Sequence, residues 1–226
     1  MSEFISDTTI PTTFVLSGGR EIVNEERAIE LISIANITNY DAITKVVLSN
    51  KSITEKAAEI FSIELKKFKN VTMIDISDII AGRPEDEALN TLRYICEVGL
   101  SHCQHNVTEI NVSDNAKGVN VIKSLLIGKQ LQHVYFCNNG MSAEAATLIS
   151  ELLLHTETNE EDKEDKESCP PPLKTLHFFN NMSGNGGGIA IAKMISVCSD
   201  TLTDIRFSAT RCMVKGCQDV VEVCCC

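Results

Sequence analysis

The sequence contains no tryptophan, few aromatic residues and no apolar run long enough to cross a bilayer. Basic residues are also scarce, with 20 lysines and arginines against 31 acidic residues and a formal net charge of -11. Such a charge opposes attraction to phosphate backbones and anionic lipid, so we expect neither nucleic acid nor membrane insertion. With 43% hydrophobic residues over 226 positions, the composition predicts one globular domain or a short repeat array.

A secretory signal is also missing, because no basic segment followed by an apolar core and a cleavage site begins the chain. The ten cysteines are therefore expected to be reduced thiols. Outside the terminal Cys224–Cys226 run, no two of them have the C-x-x-C spacing of a zinc site. We therefore expect no disulfide framework, no structural metal and no glycosylation of the Asn-x-Ser/Thr sequons.

A short phrase is repeated along the chain, with apolar residues at its first, fourth and sixth positions and a polar residue at its ninth. In the clearest copies the ninth residue is Asn115, Asn139 or Asn181. Most intervals between copies are close to the roughly 20–29 residues of leucine-rich repeats, and two are longer. A single unit cannot bury its apolar edge, so the units are expected to stack with parallel strands. The six copies begin at Ile43, Val71, Val107, Leu131, Leu173 and Leu202.

Between the copies the apolar period becomes helical, as at Ala57, Ala58, Phe61 and Leu65. Each unit therefore reads as strand, turn and helix. The pattern predicts an α/β leucine-rich-repeat solenoid with a curved parallel sheet and outer helices. Ser52 and Glu55 have the spacing of a capping box at the first of these helices.

The chain divides into an N-terminal cap segment (1–40), a repeat domain (41–216) and a Cys-rich tail (217–226). The two long intervals indicate insertions. One is a loop before a helix that Pro84 is expected to begin as its first residue. The other, 156–172, is strongly acidic and ends in three prolines, so we expect it to be a disordered surface excursion.

Three other segments contain residue types that can carry chemistry. The glycines at 184–188 follow a predicted strand, but they lack the spacing of a phosphate-binding loop and favour a flexible turn. His102, Cys103 and His105 lack a fourth ligand and favour a polar helix end over a metal site. The terminal cysteines lack the arrangement required for prenylation. None of these predicts a self-contained enzyme.

A polar column stands immediately before the ninth position of the phrase, at the end of each predicted strand. Asn and Asp there can stabilise turns through their own backbone. Together with Arg83, which we expect to be exposed, they can also form a ridge that grips another protein. The column alone does not decide between these interpretations; its members are Asn50, Asp78, Asp114, Asn138 and Asn180.

Several of these segments resemble the Ran GTPase-activating proteins, particularly the plant members of the family. The first is the run from Asp75 to Leu89, which includes the Gly82-Arg83 pair. The resemblance spans about residues 14–216, and the ordered series is more specific than a generic leucine-rich pattern. Further matching segments are Ser17–Arg20, Leu48–Ser52, Ser113–Gly118, Val134–Ser142, Leu176–Gly184 and Phe207–Arg211.

The resemblance implies a regulatory protein, not an enzyme, that binds Ran in its GTP form and stimulates GTP hydrolysis in support of nucleocytoplasmic transport. In that family an asparagine on the rim orients the catalytic glutamine of Ran, and no arginine finger is supplied. By motif match this role falls on Asn138. Arg83 is implied as a partner contact, and Asp78, Asp114 and Asn180 are further candidate contacts because they belong to the same polar column.

The same resemblance implies no cofactor of the chain's own, because GTP and Mg²⁺ are carried by the partner GTPase. We expect a monomer in the cytoplasm, with the nuclear envelope as the alternative location. Plant relatives also have an N-terminal domain that targets the nuclear envelope, and a chain without tryptophan cannot contain its Trp-Pro-Pro motif. The alternative function is a truncated leucine-rich-repeat interaction scaffold without GTPase-activating activity.

Overall fold

The computed structural model describes residues 11–115, 119–154 and 170–224, without the side chains of residues 119 and 120. Strands β2 and β4 pair in a small parallel ladder, and the other seven form one parallel sheet in chain order, β1-β3-β5-β6-β7-β8-β9. The strands are β1 (Thr13–Val15), β2 (Ile22–Val23), β3 (Lys45–Val47), β4 (Ser52–Ile53), β5 (Met73–Asp75), β6 (Glu109–Asn111), β7 (His133–Tyr135), β8 (Thr175–Phe179) and β9 (Asp204–Ser208).

Each helix except the last leads to the next strand of the chain, and helices that are neighbours along the chain contact each other. They are α1 (Glu25–Ala35), α2 (Glu55–Leu65), α3 (Glu85–Arg93), α4 (Val119–Leu126), α5 (Ala143–Leu153), α6 (Gly184–Val197) and α7 (Val214–Cys224). Helix α3 continues as a π-helix over Tyr94–Leu100 and a 3₁₀ turn over Ser101–Cys103, and another 3₁₀ turn covers Tyr40–Ala42. Stacked strand–helix units with a parallel sheet confirm the predicted α/β leucine-rich-repeat fold.

The repeated phrase sets the register of the sheet. Its fourth residues pair across neighbouring strands, as in Val46↔Ile74 and Ile110↔Val134. All four of these side chains are fully buried, because the alternate side chains of a strand point to the same face. In the last unit the equivalent Ile205 is only partly buried. The core is therefore continuous along the stack and less covered at its final repeat.

The ninth residues of the phrase form a buried ladder of asparagines. Asn139 Oδ1 accepts from the backbone N–H of Asn115 at 2.6 Å, and Asn181 Oδ1 accepts from that of Asn139 at 3.1 Å. Asn115 Nδ2 donates to Ile76 O at 2.6 Å. These amides satisfy backbone groups that would otherwise be buried without partners, which explains the asparagine at this position.

Lys51 is the ninth residue of the phrase that begins at Ile43, where the clearest copies have asparagine, and its side chain is only 1% exposed. This phrase belongs to the second strand–helix unit, because β1 and α1 form the first. Its ammonium donates to the carbonyl oxygens of Ser17, Gly18 and Gly19 and to Glu21 Oε1. A lysine can replace the asparagine here because the loop after β1 turns three carbonyls and one carboxylate toward it. The arrangement holds the first unit against the second.

Two predicted helix starts are wrong. Ser52 lies in β4 and donates to Ala81 O at 2.7 Å, while the N-cap of α2 is Thr54, whose Oγ1 accepts from Ala57 N–H at 3.3 Å. The helix begins later than the capping-box pattern predicts, because Ser52 and Ile53 pair with β2 in a short second ladder before α2 starts. Pro84 is the N-cap of α3, one residue before the first helical position.

The prediction of a flexible turn at the glycines is also wrong, because Gly184–Gly188 form the first turns of α6. A Cβ on Gly186 would lie 2.8 Å from Ala143 Cβ of α5, and one on Gly188 would lie 2.7 Å from Gly216 O of α7. The glycines are present because α6 packs closely between its neighbours, a need that a pattern within one segment does not reveal.

Residues predicted as the N-terminal cap contain β1 and α1, which join the sheet and the helix layer as a further strand–helix unit. Residues 156–169 of the predicted acidic excursion (156–172) lie outside the described residues, as do the last two residues of the predicted tail. Cys224 lies at the end of α7. None of the helices in the described segments combines the length and apolar character that crossing a bilayer requires.

Candidate functional site

The candidate site is a row of residues that we call the rim, at the carboxyl edge of the sheet where each strand turns toward its helix. All of them have left-handed backbone conformation, with φ between 51° and 62°. Asn and Asp tolerate this conformation better than other residues with a Cβ, which explains the polar column in the sequence. The rim consists of Asn50, Asp78, Asp114, Asn138, Asn180 and Ala209.

Backbone hydrogen bonds hold the rim in register. The N–H of Asp114 donates to Cys137 O and the N–H of Asn138 donates to Phe179 O, both at 2.9 Å. The N–H of Asn180 donates in the same way to Ser208 O at 3.0 Å. Asp114, Asn138 and Asn180 are thus each tied to the following unit, so the side chains of adjacent units lie next to one another.

Asn138 lies at the centre of a chain of side-chain hydrogen bonds. Its Nδ2 donates to Asp114 Oδ1 at 2.6 Å, and its Oδ1 accepts from Asn180 Nδ2 at 2.7 Å. Asn138 is exposed, whereas Asn139, the next residue, is only 1% exposed. The two adjacent asparagines therefore have separate positions, one accessible on the rim and one in the buried ladder.

Asp78 has a different partner. Arg20, from the loop after β1, donates to both oxygens of its carboxylate at 2.7 and 3.0 Å. The Arg20 side chain remains 54% exposed and that of Asp78 is 23% exposed. Sequence reasoning did not assign Arg20 to the site, although the matching segment Ser17–Arg20 contained it. Because 58 residues separate the pair, only the stacking of the first and third units brings them together.

Arg83 is less accessible than predicted, with a side chain that is only 16% exposed. Its Nε donates to Ser52 Oγ at 3.1 Å, and its Nη1 lies 3.5 Å from Glu87 Oε1. The expectation of an exposed arginine is therefore wrong. The side chain folds back because β4 offers the hydroxyl of Ser52 and the first turn of α3 offers the carboxylate of Glu87. These contacts connect the loop before α3 to the second unit.

A cleft of about 280 Å³ connects the Arg83 loop to the rim. Its lining includes Arg83, Glu85 and Asp114. Since Asp114 also accepts the hydrogen bond from Asn138, the structure places Arg83 and Asn138 at the same edge of the sheet. The predicted site residues thus lie in one region, with Asp78 held by Arg20 and Asp114, Asn138 and Asn180 linked by hydrogen bonds.

Cys137 precedes Asn138 and is a nucleophile by residue type, but its environment suppresses that chemistry. Burial raises the pKa of the Cys137 thiol above its ordinary value, so the thiol is neutral near pH 7. Its Sγ lies 3.7 Å from His177 O. The site therefore offers hydrogen-bonding amides, carboxylates and guanidinium groups, and Cys137 contributes packing.

His102 and Cys103, considered above as metal ligands, make local contacts instead. His102 Nε2 lies 2.7 Å from Phe68 O, and Cys103 Sγ donates to the same oxygen at 3.2 Å. Both residues belong to the 3₁₀ turn at the end of the α3 segment. Across the described residues, no group of three or more His, Cys, Asp or Glu side chains is arranged to hold a metal ion.

Comparison with known proteins finds relatives that share one name. The chain is 25% identical over 187 residues to Ran GTPase-activating protein 1 of Saccharomyces cerevisiae, an overlap of 79% of this chain and 44% of the relative. It is 34% identical over 119 residues to RAN GTPase-activating protein 1 of Arabidopsis thaliana, covering 50% of this chain and 21% of the relative. It is also 34% identical over 133 residues to RAN GTPase-activating protein 2 of Arabidopsis thaliana, covering 55% of this chain and 24% of the relative.

The resemblance to the Ran GTPase-activating proteins is thereby confirmed. The chain spans less than half the length of each of these relatives. No protein-family model matches the chain.

Proposed function

Because three proteins named Ran GTPase-activating protein resemble this chain, we propose that it binds Ran in its GTP form and stimulates GTP hydrolysis. The observation that carries the proposal is the accessible amide of Asn138 at the centre of the rim. This residue occupies the position that the family resemblance assigns to the asparagine that orients the partner's glutamine. The chain would act as a regulator, since the reacting groups belong to the GTPase.

The hydrogen bonds of Asn138 suit that task. A primary amide has two N–H donors and two acceptor lone pairs. Within the described residues, one N–H of the Asn138 amide donates to Asp114, and one lone pair of its oxygen accepts from Asn180. One N–H and one lone pair remain to face solvent. A glutamine amide offers the matching acceptor and donor, so the two amides can form a pair of hydrogen bonds that fixes the glutamine.

Fixing the glutamine would accelerate hydrolysis because it orients the attacking water and removes a conformational search from the transition state. Metal and nucleotide are supplied by the partner. The role of Asn138 is therefore expected to be larger in the transition state than in the ground-state complex. Its loss should lower the rate within the complex more than the affinity.

We propose a supporting role for Arg83. Its contacts with Ser52 and Glu87 fix the loop that borders the cleft, so the guanidinium would shape the docking surface and contribute its accessible part to the partner. Asp78, held by Arg20, would present a neutral ion pair to the partner. A bare carboxylate would present a negative charge.

The test is single-turnover GTP hydrolysis by Ran, measured over a range of concentrations of this chain. Wild type should accelerate hydrolysis, and Asn138→Gly should reduce the saturating rate by roughly 100-fold, the scale for one oriented hydrogen-bonding group. Glycine removes the amide without straining the left-handed backbone. Asn138→Ala, which adds that strain, should lose the same catalytic factor and some stability.

Two outcomes would contradict the proposal. A wild-type rate equal to that of Ran alone, with measurable binding, would indicate the interaction scaffold instead. Equal losses of rate and affinity in Asn138→Gly would remove the orienting role and leave Asn138 as a contact residue.

A further inference from the structure

We propose that Asp114 is a positioning residue that sets the direction in which the Asn138 amide presents its donor and its acceptor. The proposal rests on the function proposed above, in which Asn138 meets the partner's glutamine. The sequence assigned Asp114 as a partner contact. The hydrogen bonds of the rim support a different task for its carboxylate.

The orientation of an asparagine amide is decided by its neighbours, because its oxygen and nitrogen have nearly the same shape. An ionised carboxylate can only accept hydrogen bonds. The atom of Asn138 that lies 2.6 Å from Asp114 Oδ1 must therefore be the NH₂ group, as the structure has it. The reverse orientation would place two acceptors in contact. Asp114 thus excludes one of the two orientations of the amide.

Asn180 completes the arrangement on the other side. With Asn138 Nδ2 directed to Asp114, Asn138 Oδ1 faces the next unit and accepts from Asn180 Nδ2 at 2.7 Å. An asparagine at 180 can turn its own amide to follow, whereas a carboxylate at 114 cannot. The direction is therefore set at Asp114 and passed through Asn138 to Asn180.

The backbone makes this arrangement rigid before a partner arrives. All three residues have positive φ, and the N–H of each is bonded to the following unit. The hydrogen bond to Asp114 is charge-assisted and hence stronger than a bond between neutral groups. A partner that meets Asn138 encounters a donor and an acceptor at fixed places, which lowers the entropy cost of forming the reactive complex.

Asp114→Asn tests the proposal because it retains the shape of the side chain and removes the charge that excludes the wrong amide orientation. In single-turnover hydrolysis we expect the saturating rate to fall about tenfold, the scale of one hydrogen bond to a charged group, with affinity for Ran-GTP changed less than about twofold. Glu59→Gln is the matched control, since it removes one negative charge from an exposed position on α2.

A double-mutant cycle distinguishes positioning from a direct effect. In the Asn138→Gly background, Asp114→Asn should cause no further loss of rate, because no amide is left to orient. A mutation that only destabilised the rim would still lower the rate in that background. A loss confined to affinity in the single variant would overturn the proposal and restore Asp114 as a contact residue.

Nuclear magnetic resonance of the chain alone separates this proposal from the proposed function. The side-chain N–H proton of Asn138 that faces the carboxylate should resonate downfield of an exposed amide, and Asp114→Asn should reduce that shift because the acceptor loses its charge. Unchanged amide signals in the variant would overturn the positioning role. The expected shift in a chain that fails to stimulate Ran would support the orientation of the amide and would overturn the proposed function.

Discussion

The buried asparagine ladder predicts a large loss of stability for Asn181→Ala. Asn181 is 2% exposed, and its Oδ1 accepts from the backbone N–H groups of Asn139 and Met141 at 3.1 and 3.2 Å. Its Nδ2 donates to Phe136 O at 2.8 Å. Alanine would leave two donors and one acceptor buried without these partners.

The magnitude follows from those three backbone groups. A buried polar group without a partner costs about 1–3 kcal/mol. Allowing for water that enters the space left by the amide, we expect the free energy of unfolding to fall by about 3–4 kcal/mol. A domain of this kind has a total of about 5–15 kcal/mol, so the variant should retain its fold with a much lower midpoint of denaturation.

Urea denaturation followed by circular dichroism measures the effect, with Asn180→Gly as the matched control. Asn180 is the adjacent residue, lies exposed on the rim and has positive φ, which glycine adopts without strain. Its loss should cost less than about 1 kcal/mol, the net worth of one exposed hydrogen bond. If Asn181→Ala were as stable as the control, the ladder would not be what holds the turns together.

Two further predictions concern helix packing and the thiols. Gly188→Ala should destabilise the chain by about 1–3 kcal/mol, although alanine normally favours helices, because the new Cβ would lie 2.7 Å from Gly216 O. Thermal denaturation measures the effect, and Gly19→Ala is the control because nothing lies within 4 Å of a Cβ at that position. Exposed Cys217 and Cys224 should be alkylated at pH 7.5 before Cys96 and Cys198, since burial raises the pKa of the Cys96 thiol and raises that of Cys198 to about 11. Peptide mass spectrometry measures the order, and early labelling of Cys96 would contradict it.

Much of this architecture could be read from the chain because the repeated phrase reports burial directly. Val46, Ile74, Ile110 and Val134 recur at one position of that phrase, and all are fully buried in paired strands. The same logic located the polar column, since the left-handed turn after each strand of the seven-stranded sheet favours Asn or Asp. The sequence period therefore predicts burial and turn conformation wherever each unit makes the same contacts as the unit before it.

Features that depend on contacts between distant units could not be read in this way. The bidentate pair of Arg20 with Asp78 and the burial of Arg83 against Ser52 both join segments about 30 or more residues apart. The start of α2 at Glu55 was missed for a related reason, because the β2–β4 ladder that delays it has no counterpart in the other phrases. Side-chain partners of the site therefore required the three-dimensional stack.

The asparagine ladder gives the assembly of the chain a direction. The N–H groups of Ile79, Asn115 and Asn139 are each satisfied by an amide oxygen that belongs to the following unit, from Asn115, Asn139 and Asn181 respectively. None of these three turns is complete until its successor has docked. On a ribosome, where the amino-terminal units emerge first, every newly synthesised unit would close the one before it, and the most recent turn would always be the loosest part of the growing protein.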